Sequence, residues 1–132
     1  MAKRKPGVPM GSSYRAEAAR DQVQRAVEWA SGTLELSAQE VGHAFGASQR
    51  TVVRWKDDAN YPSSKHVQAA ERILVLAFAL HEVFGDDMKR LHAWLHEPLP
   101  TFKGRTPLRM ILDGAIEEVI TLVANVESGI FA

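Results

Sequence analysis

The chain has 132 residues, of which 45% are apolar, and its 16 Lys and Arg residues balance 16 Asp and Glu residues. No apolar run approaches the roughly 18 residues of a membrane span, and no apolar segment follows the basic start, as it would in a secretory signal. The sequence contains no cysteine, which excludes disulfides and thiolate metal sites and is typical of a reducing compartment. We therefore expect a small cytoplasmic protein of one domain, or of two small domains that share a core.

The first segment is basic and then helical. Residues 1–12 are basic and contain proline and glycine, and we expect a disordered arm there, which either follows DNA phosphates or only keeps the chain soluble. From Ser13 to about Ala30 the apolar residues recur at helical spacing, and Ser31-Gly32 ends this helix.

Two short helices are predicted next. Ser37 begins the sequence SAQE, a capping box in which the glutamate reaches back to the cap, and this helix stops at Gly46. Ser48 caps the following helix, which runs to about Lys56. Turn-forming residues and a proline follow at 57–62.

Residues 64–84 are predicted to form the longest helix, which is apolar nearly all round and therefore joins the two halves of the molecule. Its predicted inward side chains are Val67, Ala70, Ile73, Leu74, Ala77, Phe78 and Val83. Three shorter helices are expected from Asp86 or Asp87 to Leu95, from Thr106-Pro107 to Leu112, and over about 115–127. The proline-bearing stretch between the first two of these is either an ordered turn or a flexible loop.

The two short helices satisfy the requirements of a helix-turn-helix. Gly42 leaves room where the second helix crosses the first, and Gly46 tolerates a left-handed backbone in the turn. Val52 and Trp55 offer apolar side chains to the core. We therefore predict a helix-turn-helix DNA-binding domain over residues 13–61.

The side chains that the second helix leaves outside are candidates for reading DNA. They are Ser48, Gln49, Arg50, Val53 and Arg54. Glutamine at such a position reads adenine, arginine reads guanine or holds phosphate, and valine contacts a thymine methyl group. The alternative is that the two arginines belong to an ordinary solvated face, because many such folds serve protein contacts only.

Two histidines raise the possibility of a metal site. His92 and His96 lie four residues apart on one predicted helix, as two zinc ligands do. The HExxH arrangement is missing, however, and the one further candidate ligand is His81. The sequence also has no glycine-rich phosphate loop and no Ser/His/Asp spacing. We therefore predict no metal, no cofactor and no catalytic residue, and rank a metal-dependent enzyme last.

The second half resembles a known family in the order of its motifs. Trp94-Leu95 and the proline-bearing loop precede the sequences GRTPL (104–108) and LDG (112–114), and a closing helix carries Val119 and Gly129. This order after a helix-turn-helix is similar to antitoxins of the Xre/MbcA/ParS type, over roughly residues 35–132. The predicted fold is thus all-α. A helix-turn-helix bundle is joined by the long helix to a small helical toxin-binding domain, residues 62–132.

The resemblance implies a role for the C-terminal end. Such antitoxins pair with RES-domain toxins, which consume NAD or transfer ADP-ribose from it, and cover the toxin's NAD pocket with their C-terminal helix and tail. Carried onto this chain, the toxin-binding residues are Asn125, Glu127, Ser128, Gly129, Ile130, Phe131 and Ala132, with Lys103, Arg105 and Arg109 adding polar contacts. Ile130 and Phe131 are the expected anchors, because large exposed apolar side chains usually mark a surface that binds a partner. The alternative is that they fold back onto this chain's own core.

The predicted function is that of an antitoxin of a type II toxin–antitoxin system, which is not an enzyme. It neutralises a RES-domain toxin and represses its own operon, as a homodimer or in a larger hetero-oligomer. Its partners are then the toxin and operator DNA, and not a membrane. The alternative is a stand-alone helix-turn-helix transcription regulator whose C-terminal half oligomerises or senses a ligand.

Overall fold

The computed structural model describes residues 10–57 and 61–127, and every regular element in these ranges is helical. The elements are α1 (Met10–Gly32), α2 (Ala38–Phe45), α3 (Gln49–Lys56), α4 (Ser64–Phe84), α5 (Met88–Leu95), a 3₁₀ turn (Pro100–Phe102), α6 (Pro107–Leu112) and α7 (Ile116–Glu127). The prediction of an all-α fold is confirmed. In the described ranges no helix combines the length and apolar character that crossing a membrane requires.

The helices begin where side chains cap them. In the predicted capping box the Glu40 amide donates to Ser37 Oγ at 3.1 Å, and the Ser37 amide donates to Glu40 Oε1 at 2.9 Å. Ser48, Asp87 and Thr106 each accept a hydrogen bond from the amide three residues further on. These caps supply partners for amides that the first turn of a helix leaves without one. The sequence located these helix starts correctly for that reason.

The first helix is longer than the sequence indicated. It has 23 residues, whereas α4 has 21, and it begins at Met10 instead of Ser13. The prediction that residues 64–84 form the longest helix is therefore wrong. The buried side chains of α1 are Val23, Ala26, Val27 and Ala30, so this helix is part of the core. Residues 1–9 of the predicted basic arm lie outside the described residues.

The fourth helix joins the two halves, as the sequence predicted. It packs against α1 on one flank and against α7 on the other, and it buries Ala70, Ile73, Leu76 and Leu80. A single hydrophobic core extends from Val23 of α1 to Val123 of α7. The apolar side chains of both halves are therefore buried against the same helix.

One apolar residue of α4 faces outward, contrary to the prediction. Phe78 was expected to face the core, but it is 66% exposed, and the neighbouring Val75 is 40% exposed. An amphipathic pattern predicts the inner face of a helix only when the outer face is polar. Since α4 is apolar nearly all round, its sequence did not distinguish the two faces.

The turn between α2 and α3 depends on two glycines. Gly46 has a left-handed backbone with φ of 71°, as predicted. A Cβ atom on Gly42 would lie 2.5 Å from the carbonyl oxygen of Ala47. The backbone of the turn therefore requires a glycine at position 42. Beyond the turn, the buried Trp55 indole packs against the Phe45 ring, with ring centroids 5.4 Å apart.

We expect Gly42→Ala to lower the free energy of unfolding by roughly 1 to 3 kcal/mol, which is the usual cost of adding a methyl group to a tightly packed site. The opposing carbonyl of Ala47 belongs to the backbone and therefore has little freedom to move away. Thermal unfolding, monitored by circular dichroism, measures this loss of stability. Gly32→Ala is the matched control, because a Cβ there meets no atom of another part of the described structure within 4 Å. Equal melting temperatures for the two variants would contradict the close contact at Gly42.

Candidate functional site

The third helix presents the predicted DNA-reading side chains to solvent. Four of them lie exposed on one face: Gln49, Arg50, Val53 and Arg54. The fifth, Ser48, is also exposed, and its Oγ accepts a hydrogen bond from the Thr51 amide at 3.1 Å. Its hydroxyl therefore orders the start of the helix whose outer face carries the other four.

Two contacts that the sequence did not reveal hold α3 on the rest of the molecule. Gln24 of α1 donates its side-chain amide to the carbonyl oxygen of Trp55 at 3.0 Å, which satisfies one of the carbonyls left free at a helix end. His66 of α4 stands edge-on to the Trp55 indole, with centroids 4.9 Å apart. The candidate reading helix is thus fixed from both α1 and α4.

The proline-bearing loop is an ordered turn, one of the two alternatives that the sequence left open. Phe102 of the 3₁₀ turn is buried. The Leu99 amide donates to the Arg105 carbonyl at 3.1 Å, and the Gly104 amide donates to the Leu99 carbonyl at 2.9 Å. Lys103, which is exposed, has a left-handed φ of 58°. The sequence did not single out Phe102, because no periodic pattern surrounds it.

Asp113 connects two of the predicted toxin-binding arginines. Arg105 Nη1 lies 3.3 Å from Asp113 Oδ2, and Arg109 Nη1 lies 3.7 Å from Asp113 Oδ1. The GRTPL and LDG motifs, which supply Arg105 and Asp113, therefore meet in space. The three side chains stay between 39% and 60% exposed, so the two guanidinium groups are held next to each other and remain accessible.

The seventh helix carries the remaining candidates of the second half. Asn125 is partly buried in its last turn, and Glu127 ends the helix. The other predicted toxin-binding residues, Ser128, Gly129, Ile130, Phe131 and Ala132, lie outside the described residues. A groove of about 430 Å³ adjoins this end of α7, and its apolar lining includes Phe84, Trp94, Leu99, Leu122 and Val126.

Comparisons with known proteins identify the family. A family profile described as the antitoxin Xre/MbcA/ParS C-terminal toxin-binding domain matches residues 79–129. The chain is also 30% identical over 104 residues to the mycobacterial cidal antitoxin MbcA of Mycobacterium bovis and of Mycobacterium tuberculosis, an alignment that covers 76% of this chain and 90% of each relative. The chain belongs to the Xre/MbcA/ParS family of antitoxins.

A solved structure agrees with this antitoxin fold. A chain in the crystal structure of the M. tuberculosis MbcT–MbcA toxin–antitoxin complex has a TM-score of 0.61 and 27% sequence identity to this antitoxin. The likeness covers 86% of this chain and 96% of that chain. It therefore extends well beyond residues 79–129, the region matched by the family profile.

The antitoxin also contains an ion pair between its central and last helices. Arg72 of α4 contacts the Glu117 carboxylate of α7 through two guanidinium nitrogens, one of them at 2.8 Å. The hydrogen bond that Arg72 donates to the Glu117 carboxylate raises the pKa of Arg72. In the sequence, Glu117 is only an acidic residue in the first turn of a helix, where it interacts favourably with the helix dipole. Its partner cannot be found from the sequence alone, because Arg72 lies 45 residues away along the chain.

The two histidines of the metal hypothesis lie at the end of α5. The Nδ1 atom of His96 is 2.9 Å from the carbonyl oxygen of His92, so this ring nitrogen is engaged with the backbone. Within residues 10–57 and 61–127, His, Cys, Asp and Glu side chains form no group of three that could hold a metal ion. The candidate binding surfaces therefore remain those on α3 and around α7, and the geometry adds nothing in favour of a metal-dependent enzyme.

Proposed function

We propose that this antitoxin neutralises a RES-domain, NAD-consuming toxin by occluding its active site with the C-terminal helix and tail, and that it represses its own operon through the helix-turn-helix. Repression belongs to residues 13–61 and neutralisation to residues 62–132. The protein acts by binding, without catalysis or a cofactor. It works in the cytoplasm as a homodimer or within a larger hetero-oligomer that contains the toxin and operator DNA.

The observation that carries this proposal is the match of a toxin-binding family profile to residues 79–129. This range contains Lys103, Arg105, Arg109 and Asn125, and it includes the groove beside α7. The similar chain was solved in a toxin–antitoxin complex named for MbcT and MbcA, which supports a toxin as the partner. An occluding tail attached to α7 would leave from the edge of this groove.

The direct test uses the RES-domain protein that we expect to be encoded next to this gene. The purified toxin should consume NAD, and an equimolar amount of the antitoxin should stop this consumption. The remaining NAD is measured after incubation with increasing amounts of antitoxin. Continued NAD consumption at saturating antitoxin would contradict the proposal and would favour the alternative, a stand-alone transcription regulator.

The DNA-binding part of the proposal is supported by the third helix. Its exposed face carries Gln49, Arg50 and Arg54, and contacts from Ser48 and Gln24 order its two ends. A net charge of zero does not oppose DNA binding. Affinity for DNA depends on the basic side chains that reach the phosphates and bases, and on the number of copies bound, more than on total charge.

Asp113 provides a test of the loop surface. We expect Asp113→Asn to weaken toxin inhibition about as much as Arg105→Ala does. After either change, Asp113 no longer holds the guanidinium groups of Arg105 and Arg109 side by side. The free energy of unfolding should fall by less than about 1 kcal/mol, since the pairs are exposed. Titration of the toxin measures inhibition, and thermal unfolding measures stability.

The control for this test is Glu17→Gln, which removes an exposed carboxylate from α1, far along the chain from the loop. It should inhibit the toxin as well as the unmodified antitoxin. If Asp113→Asn inhibits equally well, the placement of the two arginines by Asp113 does not contribute to toxin binding.

A further inference from the structure

A lysine of the fourth helix lies over the turn of the helix-turn-helix. The Cε and Nζ atoms of Lys65 are 3.8 Å and 3.9 Å from the position that a Cβ atom on Gly46 would take. Lys65 is an exposed residue in the first turn of α4, and Gly46 caps the end of α2. The aliphatic stem of the lysine therefore lies against the turn, and its charged end remains in contact with solvent.

The backbone that carries Lys65 is held in a fixed place relative to the reading helix. The ring of the next residue, His66, packs edge-on against the buried Trp55 indole of α3, with centroids 4.9 Å apart. The His66 amide donates to Ser63 Oγ at 3.4 Å, which orders the start of α4. The fold therefore determines where the Lys65 ammonium group stands beside α3.

The ammonium group has no acidic partner among the described residues. Within residues 10–57 and 61–127, no carboxylate forms an ion pair with Lys65. Glu40 of α2 accepts a hydrogen bond from the Ser37 amide. Asp57 follows the eight residues of α3, which places it about 12 Å from the start of that helix. The charge of Lys65 is thus available to an anion from outside the chain.

The geometry of a helix in the major groove of DNA indicates which anion this is. A helix with its side chains is about 10 to 12 Å across, and it nearly fills a major groove that is about 12 Å wide. A side chain that comes from another element, beside the start of the reading helix, therefore meets the sugar–phosphate backbone instead of the base edges. Gly46 lies just before that start, which is the end of a recognition helix that contacts the bases.

We infer that Lys65 binds a backbone phosphate of the operator, next to the groove that α3 enters. The inference rests on the DNA-binding part of the proposed function, and it extends the DNA surface past residue 61 into α4. A lysine ammonium binds phosphate as a point charge, and a phosphate contact positions a protein on DNA without reading its sequence. Lys65 thus contributes affinity and seats the reading helix, whereas the side chains of α3 select the sequence.

The salt dependence of DNA binding tests this contact in the full-length chain. Two DNA duplexes of equal length are titrated, one from the region upstream of this gene and one of unrelated sequence. We expect Lys65→Gln to weaken binding to both by the same factor, roughly eightfold at 0.1 M salt for each copy bound. The slope of log affinity against log salt concentration should become shallower by about 0.9 per copy, because each lost phosphate contact releases fewer counterions on binding.

Two control variants separate the charge of Lys65 from its other properties. Lys65→Arg keeps the positive charge and should keep both the affinity and the salt slope. Lys89→Gln removes the same charge from an exposed position on α5 and should bind both duplexes normally. Because Lys65 is exposed, its variants should keep the melting temperature. Lys65→Gln should also inhibit the toxin normally, although it belongs to residues 62–132.

Three results with Lys65→Gln would overturn the inference. An unchanged salt slope would mean that no phosphate contact was lost, even if the affinity falls. Weaker binding to the upstream duplex alone would assign the lysine to a base. Loss of toxin inhibition with normal DNA binding would assign it to the toxin surface.

The unmodified chain separates this inference from the proposed function. If the unmodified chain binds neither duplex, the DNA-binding part of the proposed function fails, and the contact of Lys65 fails with it. If the unmodified chain binds DNA and Lys65→Gln binds it equally well at every salt concentration, only the contact of Lys65 is overturned.

Discussion

Removing Gly129–Ala132 is expected to abolish toxin inhibition while the antitoxin stays folded. The deleted segment contains Ile130 and Phe131, the two large apolar side chains expected to anchor the tail. Truncating a central aromatic anchor of an interface costs about 2 to 4 kcal/mol of binding, which corresponds to roughly 30-fold to 1000-fold weaker affinity. The described core reaches only to Val123 of α7, so the melting temperature should change little.

The measurement is the amount of antitoxin needed to halve NAD consumption by a fixed amount of toxin. The control is a chain shortened at the other end by residues 1–9, which should inhibit normally because toxin binding is assigned to the C-terminal half. Phe131→Ala alone should reproduce most of the loss. If the chain lacking Gly129–Ala132 inhibits at the usual ratio, the tail does not occlude the toxin.

Replacing Arg50 and Arg54 together with alanine is expected to weaken operator binding by about 30-fold or more. Side chains that read bases contribute about 1 to 3 kcal/mol each, and these two arginines are exposed on the same face of α3. Toxin inhibition should not change, because the proposed toxin-binding surface belongs to the other half. Titration of labelled operator DNA at a fixed salt concentration measures the loss.

The matched control replaces Lys89 and Arg90 of α5 with alanine, which removes the same net charge from another helix. This variant should bind the operator as well as the unmodified antitoxin does. Operator affinity that is the same in both double variants would mean that α3 does not read DNA. A reduced salt dependence in the Arg50 and Arg54 variant would assign these side chains to phosphate contacts.

The features that could be predicted from the sequence are those set within a few residues. Ser37 with Glu40, and Thr106 with the proline after it, identify helix starts because a cap bonds to an amide three residues away. Gly46 marked the turn because its backbone conformation is left-handed. The order of the motifs in the second half was enough to suggest the family, and the comparisons confirm it.

The features that could not be predicted depend on which helix faces meet. Gln24 and Trp55 are 31 residues apart, and Arg72 and Glu117 are 45 apart, so no local pattern joins them. The exposure of Phe78 likewise follows from the packing of α1 and α7 on the remaining sides of α4. The ion pair between Arg105 and Asp113 could not be predicted either, although each residue belongs to a recognisable motif, because motifs give the order of residues along the chain and not their distances in space.

The continuous core around α4 has a consequence for how the antitoxin is removed from a cell. Since both halves bury their side chains against one helix, a small domain of this kind unfolds as one cooperative unit. On the proposed function, a protease that pulls α4 out of place therefore ends repression and neutralisation in the same event. Turnover of the antitoxin would then release the toxin and open the promoter for new antitoxin at the same moment.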